Sequence, residues 1–279
     1  MKHYFPSQKE FAEVCTRGLS AIRPLLPSAR ERDGYGWNFG TARPPSYAAY
    51  GRLRATMTLK VAASFGAKRV LEVAAGDGSL SAALQQRGSE VVVNDLREQD
   101  ICEGVQYFTN ADAIEVAGGN VFDLDPKVLG EFDLVIACEL IEHVADPVAL
   151  LRKLKSFLTL GGRVMMTTPN GAYFRNKLPT YREVKDYAAL VEKQFKPDAD
   201  GHLYLLTANE LRELSGEAGM QVEQCFAWGT PFISGESGFR VLGGMLPREA
   251  CLALEKMSCA LPAGVRERWA NSLMAVMKK

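Results

Sequence analysis

Apolar positions along this chain change period several times, and each change marks an element. From Ser7 the spacing of Phe11, Val14 and Cys15 is helical, and Ser7 with Glu10 forms a capping-box pattern, so a helix is predicted that ends near Arg23–Pro27. Residues 31–50, "ERDGYGWNFGTARPPSYAAY", mix glycine, proline and aromatics without a period and predict an ordered loop, followed by a helix from about Tyr47 to Phe65. From Arg69 short apolar runs alternate with helical stretches: "RVLEVA", then "GSLSAALQQRG", then "EVVVND". "FDLVIA" (Phe132–Ala137) and "RVMMTT" (Arg163–Thr168) are two further strands. Between them "DPVALLRKLKSFLTLGG" reads as a helix capped by Asp146, opened by Pro147 and stopped at Gly161–Gly162. "TANELRELSGEAG" has a capping box at Thr207 and Glu210 and a glycine stop at Gly219. "QVEQCFAW" and "SLMAVMKK" close the series as strands, with a helix at about Pro247–Cys259 in the long connection between them.

Buried-type strands alternating with helices imply an α/β fold: a parallel sheet covered on both faces, with its ligand at the carboxyl ends of the strands. Those ends place candidate sites at Val73–Gly78, Asn94–Asp95, Cys138–His143 and Thr168–Asn170. The expected division is a lid over residues 1–50 and a main domain over 51–279, with inserts at 171–205 and 229–268. Composition narrows the class further. The 279 residues carry a formal net charge of 0, which gives no general attraction to nucleic acid or an anionic membrane. Six cysteines lie scattered with no C-x-x-C pair, which argues against a zinc ribbon or a disulfide framework and predicts reduced thiols. No apolar run reaches the roughly 18–20 residues of a membrane span, and "MKHYFPSQKE" lacks the apolar core of a signal peptide, so a soluble, cytoplasmic protein is expected.

The stretch "VLEVAAGDGS" (Val70–Ser79) carries the first chemistry. A phosphate-cradling turn attracts anions, yet here Glu72 stands at the end of a strand just before the glycines, so the ligand is expected to be cationic near it. In a dinucleotide G-x-G-x-x-G fingerprint the third glycine would fall at Ser81, and Glu72 would be unexplained. The pattern apolar-apolar-acidic-apolar-x-x-G-x-G instead resembles the first motif of class I S-adenosylmethionine-dependent methyltransferases. The likeness runs from about Val70 to Asn170, and "FDLVIACELIEHVADPVALLRKLKSFLTLGGRVMMTTPN" is similar to the later motifs of the ubiquinone-biosynthesis-like branch (types 11 and 23). That resemblance implies a Rossmann-like, doubly wound, mostly parallel seven-stranded sheet with an N-terminal helical lid. It further implies S-adenosylmethionine as methyl donor, held by Glu72, Gly76, Gly78, Asp95, Asn120, Val121 and Cys138. Asp95 would take the ribose hydroxyls, since a carboxylate accepts two hydrogen bonds at once. Asn120, in "GNVFDL", would accept from the adenine amino group, with the N–H of Val121 donating to the ring. Two positions depart from the family pattern: Asn120, where an aspartate is usual, and Ala74, where glycine is frequent.

In "CELIEHV", Glu139, Glu142 and His143 fall at i, i+3 and i+4 and would share a face if the segment is helical. His202, in "GHLYLLT", stands where related enzymes carry a pocket histidine. Glu139, Glu142, His143 and His202 together would suit Mg²⁺ or Mn²⁺, which lowers the pKa of a bound hydroxyl. Their order resembles the metal tetrad of small-RNA 2′-O-methyltransferases. Without a metal, His143 or His202 would serve as general base beside Glu142, and a purely structural His143 stays open as well. The expected acceptor is a small molecule of biosynthetic metabolism, methylated on oxygen or else nitrogen. An RNA substrate is disfavoured because Arg175, Lys177, Arg182, Lys185 and Lys193 are interleaved with Glu183, Asp186 and Glu192; a non-enzymatic scaffold is disfavoured by the intact donor motifs. Aromatics in the three acceptor-side segments (Tyr35, Trp37, Phe39, Tyr47 and Tyr50; Tyr173, Phe174, Tyr181 and Tyr187; Phe232 and Phe239) either anchor those segments or line a partly apolar pocket. The sequence leaves the oligomeric state open.

Overall fold

Val91, Val92 and Val93 are each at most 1% exposed, and Val70 and Leu71 are fully buried, as expected of parallel strands covered on both faces. The structure is a computed structural model that describes residues 45–76, 78–105, 114–194, 201–234, 246 and 248–279. The predicted N-terminal helix, most of the aromatic loop before Tyr50, and Phe239 lie outside the described residues.

By contacts the chain falls into two units, the first comprising the described residues up to Asp123 together with those of Gly229–Leu261. It opens with α1 (Pro45–Ser64), in which Leu53, Ala55, Thr56, Met57 and Leu59 are each at most 5% exposed and fall on opposite sides of the helix, so this stretch has no continuous polar face. The helix runs through residue 50, where the lid was expected to end. β1 (Arg69–Val73) then leads through α2 (Ser79–Gln85) to β2 (Glu90–Asn94), and α3 (Glu98–Val105) precedes β3 (Glu115–Val116). The three strands are parallel, in the order β3-β2-β1.

The second unit, Leu124–Trp228 with Pro262–Lys279, contains α4 (Pro126–Leu129), β4 (Phe132–Cys138), α5 (Pro147–Ser156), β5 (Leu158–Pro169), α6 (Tyr187–Gln194), α7 (Ala208–Glu217) and β6 (Gln221–Trp228). Its strands follow the order β4-β5-β7-β6, and β7 (Ser272–Lys278) runs antiparallel to both of its neighbours. With the first unit this gives seven strands, mostly parallel, in the expected Rossmann-like α/β class. Between β6 and β7 lie α8 (Pro231–Ser234), the predicted helix as α9 (Arg248–Ser258), and a short α10 (Ala263–Trp269) that the apolar pattern does not announce. Among the described residues no helix is long and apolar enough to cross a membrane.

Most boundaries follow local chemistry. The Asp146 carboxylate accepts from the Ala149 N–H at 2.8 Å with Pro147 at the first helical position, and Thr207 and Glu210 close a reciprocal capping box. One boundary differs from expectation. α5 stops at Ser156, not at Gly161–Gly162, because Leu158 is fully buried and pairs with Phe132 in the β4–β5 ladder, whereas Leu160 is 98% exposed. Residues i and i+2 of a regular strand point the same way, but here the ladder shifts register between Phe132 and Leu134 and the backbone turns left-handed at Gly161 (φ +87°), so the strand buries Leu158 and exposes Leu160.

Candidate functional site

One group of candidate residues lies in the first unit, on the loops that follow β1, β2 and β3. Three residues after β1 have left-handed backbones: Ala74 (φ +54°), Gly76 (φ +59°) and Gly78 (φ +70°). That explains why glycine is frequent at the position of Ala74, where an alanine holds a conformation costing of order 1 kcal/mol. Asp95, just past β2, accepts from the Gly76 N–H at 2.9 Å and so ties the glycine turn to the neighbouring loop. The buried Asn94 amide donates to Ala117 O at 2.7 Å and Gly119 O at 2.8 Å, while the Gly119 N–H donates to Asp95 O at 2.9 Å. This brings the loop of Asn120 and Val121 beside the other two. Asn120 Oδ1 accepts from the Phe122 N–H at 3.1 Å in a local turn, and Val121 is 7% exposed. Sequence reasoning passed over Asn94 as a residue with a role of its own; the signal available was a polar side chain closing the apolar run "EVVV".

Glu72 has a different setting from the one its sequence position suggests. It is 3% exposed, and its Oε2 accepts both the backbone N–H of Ser81, at 3.0 Å, and the Ser81 hydroxyl. The carboxylate therefore serves the first turn of α2, where unsatisfied N–H groups and the positive end of the helix dipole favour a negative charge. Replacing Glu72 with alanine strands two buried donors. Thermal or urea unfolding of Glu72→Ala should show a loss of about 1–3 kcal/mol.

Another group of candidate residues lies in the second unit, beyond Cys138, the last residue of β4. Glu139 has φ +51°, and only Ile141–His143 form a single 3₁₀ turn, so Glu139 does not share the helical face expected with Glu142 and His143. Glu142 is fully buried. Its Oε2 accepts from the Thr168 hydroxyl at 3.0 Å, which orients Oε1 toward two imidazoles. His143 Nε2 stands 4.0 Å and His202 Nε2 3.9 Å from that oxygen, and the two rings lie 5.0 Å apart, edge to face. One ligand atom from each of Glu142, His143 and His202 falls within 4.8 Å of the others. Burial lowers the pKa of His202 against the opposing charge of Glu139, with Lys193 adding to the lowering, which favours the neutral ring with its lone pair. Of the expected tetrad, three members converge, and Glu139 acts on His202 through its charge. The aromatics Tyr181 and Tyr187 pack in a row with Tyr204, and Phe174 packs on Trp269, contacts that anchor the segment after β5.

A family model described as "Methyltransferase domain" matches residues 46–225 of this chain. The ubiquinone biosynthesis O-methyltransferase of Pseudomonas aeruginosa (strain LESB58) is 29% identical over 109 residues, 39% of this chain and 47% of that protein. Its counterpart in Xanthomonas axonopodis pv. citri (strain 306) is 34% identical over 110 residues, 37% of this chain and 43% of that protein. The match thus spans about half the length of these relatives. Among solved structures, the magnesium protoporphyrin IX methyltransferase of Synechocystis PCC 6803, with bound SAH, aligns with a TM-score of 0.51 at 15% identity, over 96% of this chain and 97% of that one. At that identity the likeness speaks for the fold.

Proposed function

We propose that this chain, which belongs to the methyltransferase domain family and is thereby an S-adenosylmethionine-dependent methyltransferase, transfers the methyl group to a hydroxyl of a small molecule with the help of a divalent cation at Glu142, His143 and His202. The observation that carries the reading is the separation of 3.9–4.0 Å between one buried carboxylate oxygen and two imidazole nitrogens. Those gaps are too long for hydrogen bonds and somewhat wider than the roughly 2.8–3.6 Å between neighbouring ligands of one ion whose bonds to N and O are about 2.0–2.2 Å, so the three side chains would draw together on binding it. Relatives named for O-methylation support oxygen as the acceptor atom.

The residues fit both partners. For the donor, the left-handed turn at Ala74, Gly76 and Gly78 lets backbone approach the ligand closely, and the Asp95 carboxylate at that turn suits vicinal hydroxyls. For the cation, a neutral His202, a carboxylate fixed by Thr168 and two facing imidazoles make a nitrogen and oxygen donor set of the borderline-hard kind. A divalent ion bound there supplies Lewis acidity, which lowers the pKa of a hydroxyl beside it. The residues of the chain do the rest by placement. They would hold the nucleophilic oxygen in line with the sulfonium methyl, so that the O–C bond forms as the S–C bond breaks, the hydroxyl proton passes to water and S-adenosylhomocysteine departs. The described residues 171–194 and 201–205, which include the packed rings of Phe174, Tyr181, Tyr187 and Tyr204, would serve as an acceptor-side cover that keeps water from the reacting groups.

The test is a radiolabelled methyl-transfer screen over small phenols, catechols and alcohols, run with and without EDTA. Turnover should vanish under chelation and return with Mg²⁺ or Mn²⁺, while S-adenosylhomocysteine binding stays unchanged. Full turnover in EDTA refutes the cation and leaves the neutral His202 as general base; methylation of amines alone refutes the hydroxyl acceptor.

A further inference from the structure

Glu142 and His143 sit on one short turn, and His202 comes from a segment 59 residues further along the chain than His143. A lone 3₁₀ turn is a poor platform for metal ligands, because its hydrogen bonds are badly aligned. Here its own bonds are His143 N–H to Leu140 O at 3.0 Å and Val144 N–H to Ile141 O at 3.3 Å. Two outside groups brace it, both from the residues just after His202. The Leu203 N–H donates to Glu142 O at 2.9 Å. The Tyr204 hydroxyl lies 2.7 Å from Ile141 O and 2.6 Å from Val144 O, the two carbonyls that bracket Glu142 and His143. A phenol has one proton, so the two carbonyls share it. Tyr204 is fully buried and its ring packs edge-on against Tyr181 at 4.9 Å, which gives the hydroxyl no freedom to turn away.

We infer that Tyr204 is a positioning residue: its hydroxyl staples the 141–144 turn to the His202 segment and thereby brings the ligand atoms of Glu142, His143 and His202 to one point. The inference rests on the cation-binding reading above, and goes beyond it by assigning the cluster's geometry to a side chain that touches neither cation nor substrate. Outer groups of this kind commonly control affinity, because ligands displaced by about 0.5 Å no longer share an ion well.

The experiment uses the full chain in three forms: wild type, Tyr204→Phe, and a variant with 4-aminophenylalanine at position 204. Phenylalanine keeps the buried ring and removes the donor; the aromatic amine restores N–H donors at the same place. Mn²⁺ binding read by electron paramagnetic resonance should weaken by about 10–100-fold in Tyr204→Phe and recover in the amine variant, with S-adenosylhomocysteine affinity unchanged in all three. Mn²⁺ affinity equal to wild type in a folded Tyr204→Phe protein overturns the inference. Parallel losses of Mn²⁺ and S-adenosylhomocysteine binding also overturn it, since they mark general unfolding. If wild type takes up no Mn²⁺, the cation reading itself falls, and positioning is judged by the imidazole NMR signals. The chain has only three histidines, so His3 serves as internal reference. Movement of the His143 and His202 signals in Tyr204→Phe, reversed by the amine variant, supports positioning; unmoved signals overturn it.

Discussion

Replacement of His202 by alanine is expected to lower kcat by about 10²–10⁴ while leaving the affinity for S-adenosylhomocysteine within about twofold of wild type. The separation of effects follows from where the groups sit. His202 belongs to the cluster around Glu142 in the second unit, and the turns bearing Gly76 and Asp95 belong to the first. Without His202 a cation would keep only Glu142 and His143 as protein ligands, and a metal-free mechanism would lose its neutral base. Glu142→Gln should behave similarly, because the amide can still accept from Thr168 but cannot offer a negative oxygen to the imidazoles. Steady-state kinetics with a methyl acceptor found in the screen, paired with calorimetric titration of S-adenosylhomocysteine, separates the two parameters. Unchanged kcat in both variants would remove the cluster from the chemistry.

The second large effect is expected at Asp95. Asp95→Ala should weaken S-adenosylhomocysteine binding by about 1–3 kcal/mol, or roughly 5–150-fold. Two contributions would add: the proposed hydrogen bonds to the donor's hydroxyls, and the 2.9 Å bond from the Gly76 N–H that holds the glycine turn in place. Asp95→Asn keeps an acceptor for Gly76 and should fall between wild type and alanine. Titration of the folded variants by calorimetry decides the point, and wild-type affinity in Asp95→Ala would exclude this carboxylate from the donor site.

Much of this molecule was legible along the chain. The apolar runs "VLEV", "EVVV" and "FDLVIA" are strands because buried parallel strands need apolar side chains on both faces, and that requirement is written residue by residue. Asp146, Pro147, Thr207 and Glu210 mark helix starts through bonds that span three residues. The glycine turn and Asp95 were likewise readable, since each follows a predicted strand directly, whereas β3, two residues long, shows no period and the loop of Asn120 was marked only by the family resemblance.

What the sequence alone determined, then, was whatever depends on neighbours within a turn or two: periodicity, caps, and the order of strands and motifs. Tertiary structure decided matters that depend on distant partners. Leu158 left the helix for a strand because Phe132 lay ready to pair with it. Glu72 looks from its position like a ligand group, yet it holds Ser81 and the start of α2. Glu139 left the ligand face because its backbone turned left-handed where helical spacing was expected, and no local pattern forbids or demands that. Tyr204 reads as one more aromatic in "GHLYLLT" until the carbonyls of Ile141 and Val144, some 60 residues upstream, arrive at its hydroxyl. A hydrogen bond is decided within about 3 Å, and chain position fixes such distances only for near neighbours; for all others the packed fold supplies them.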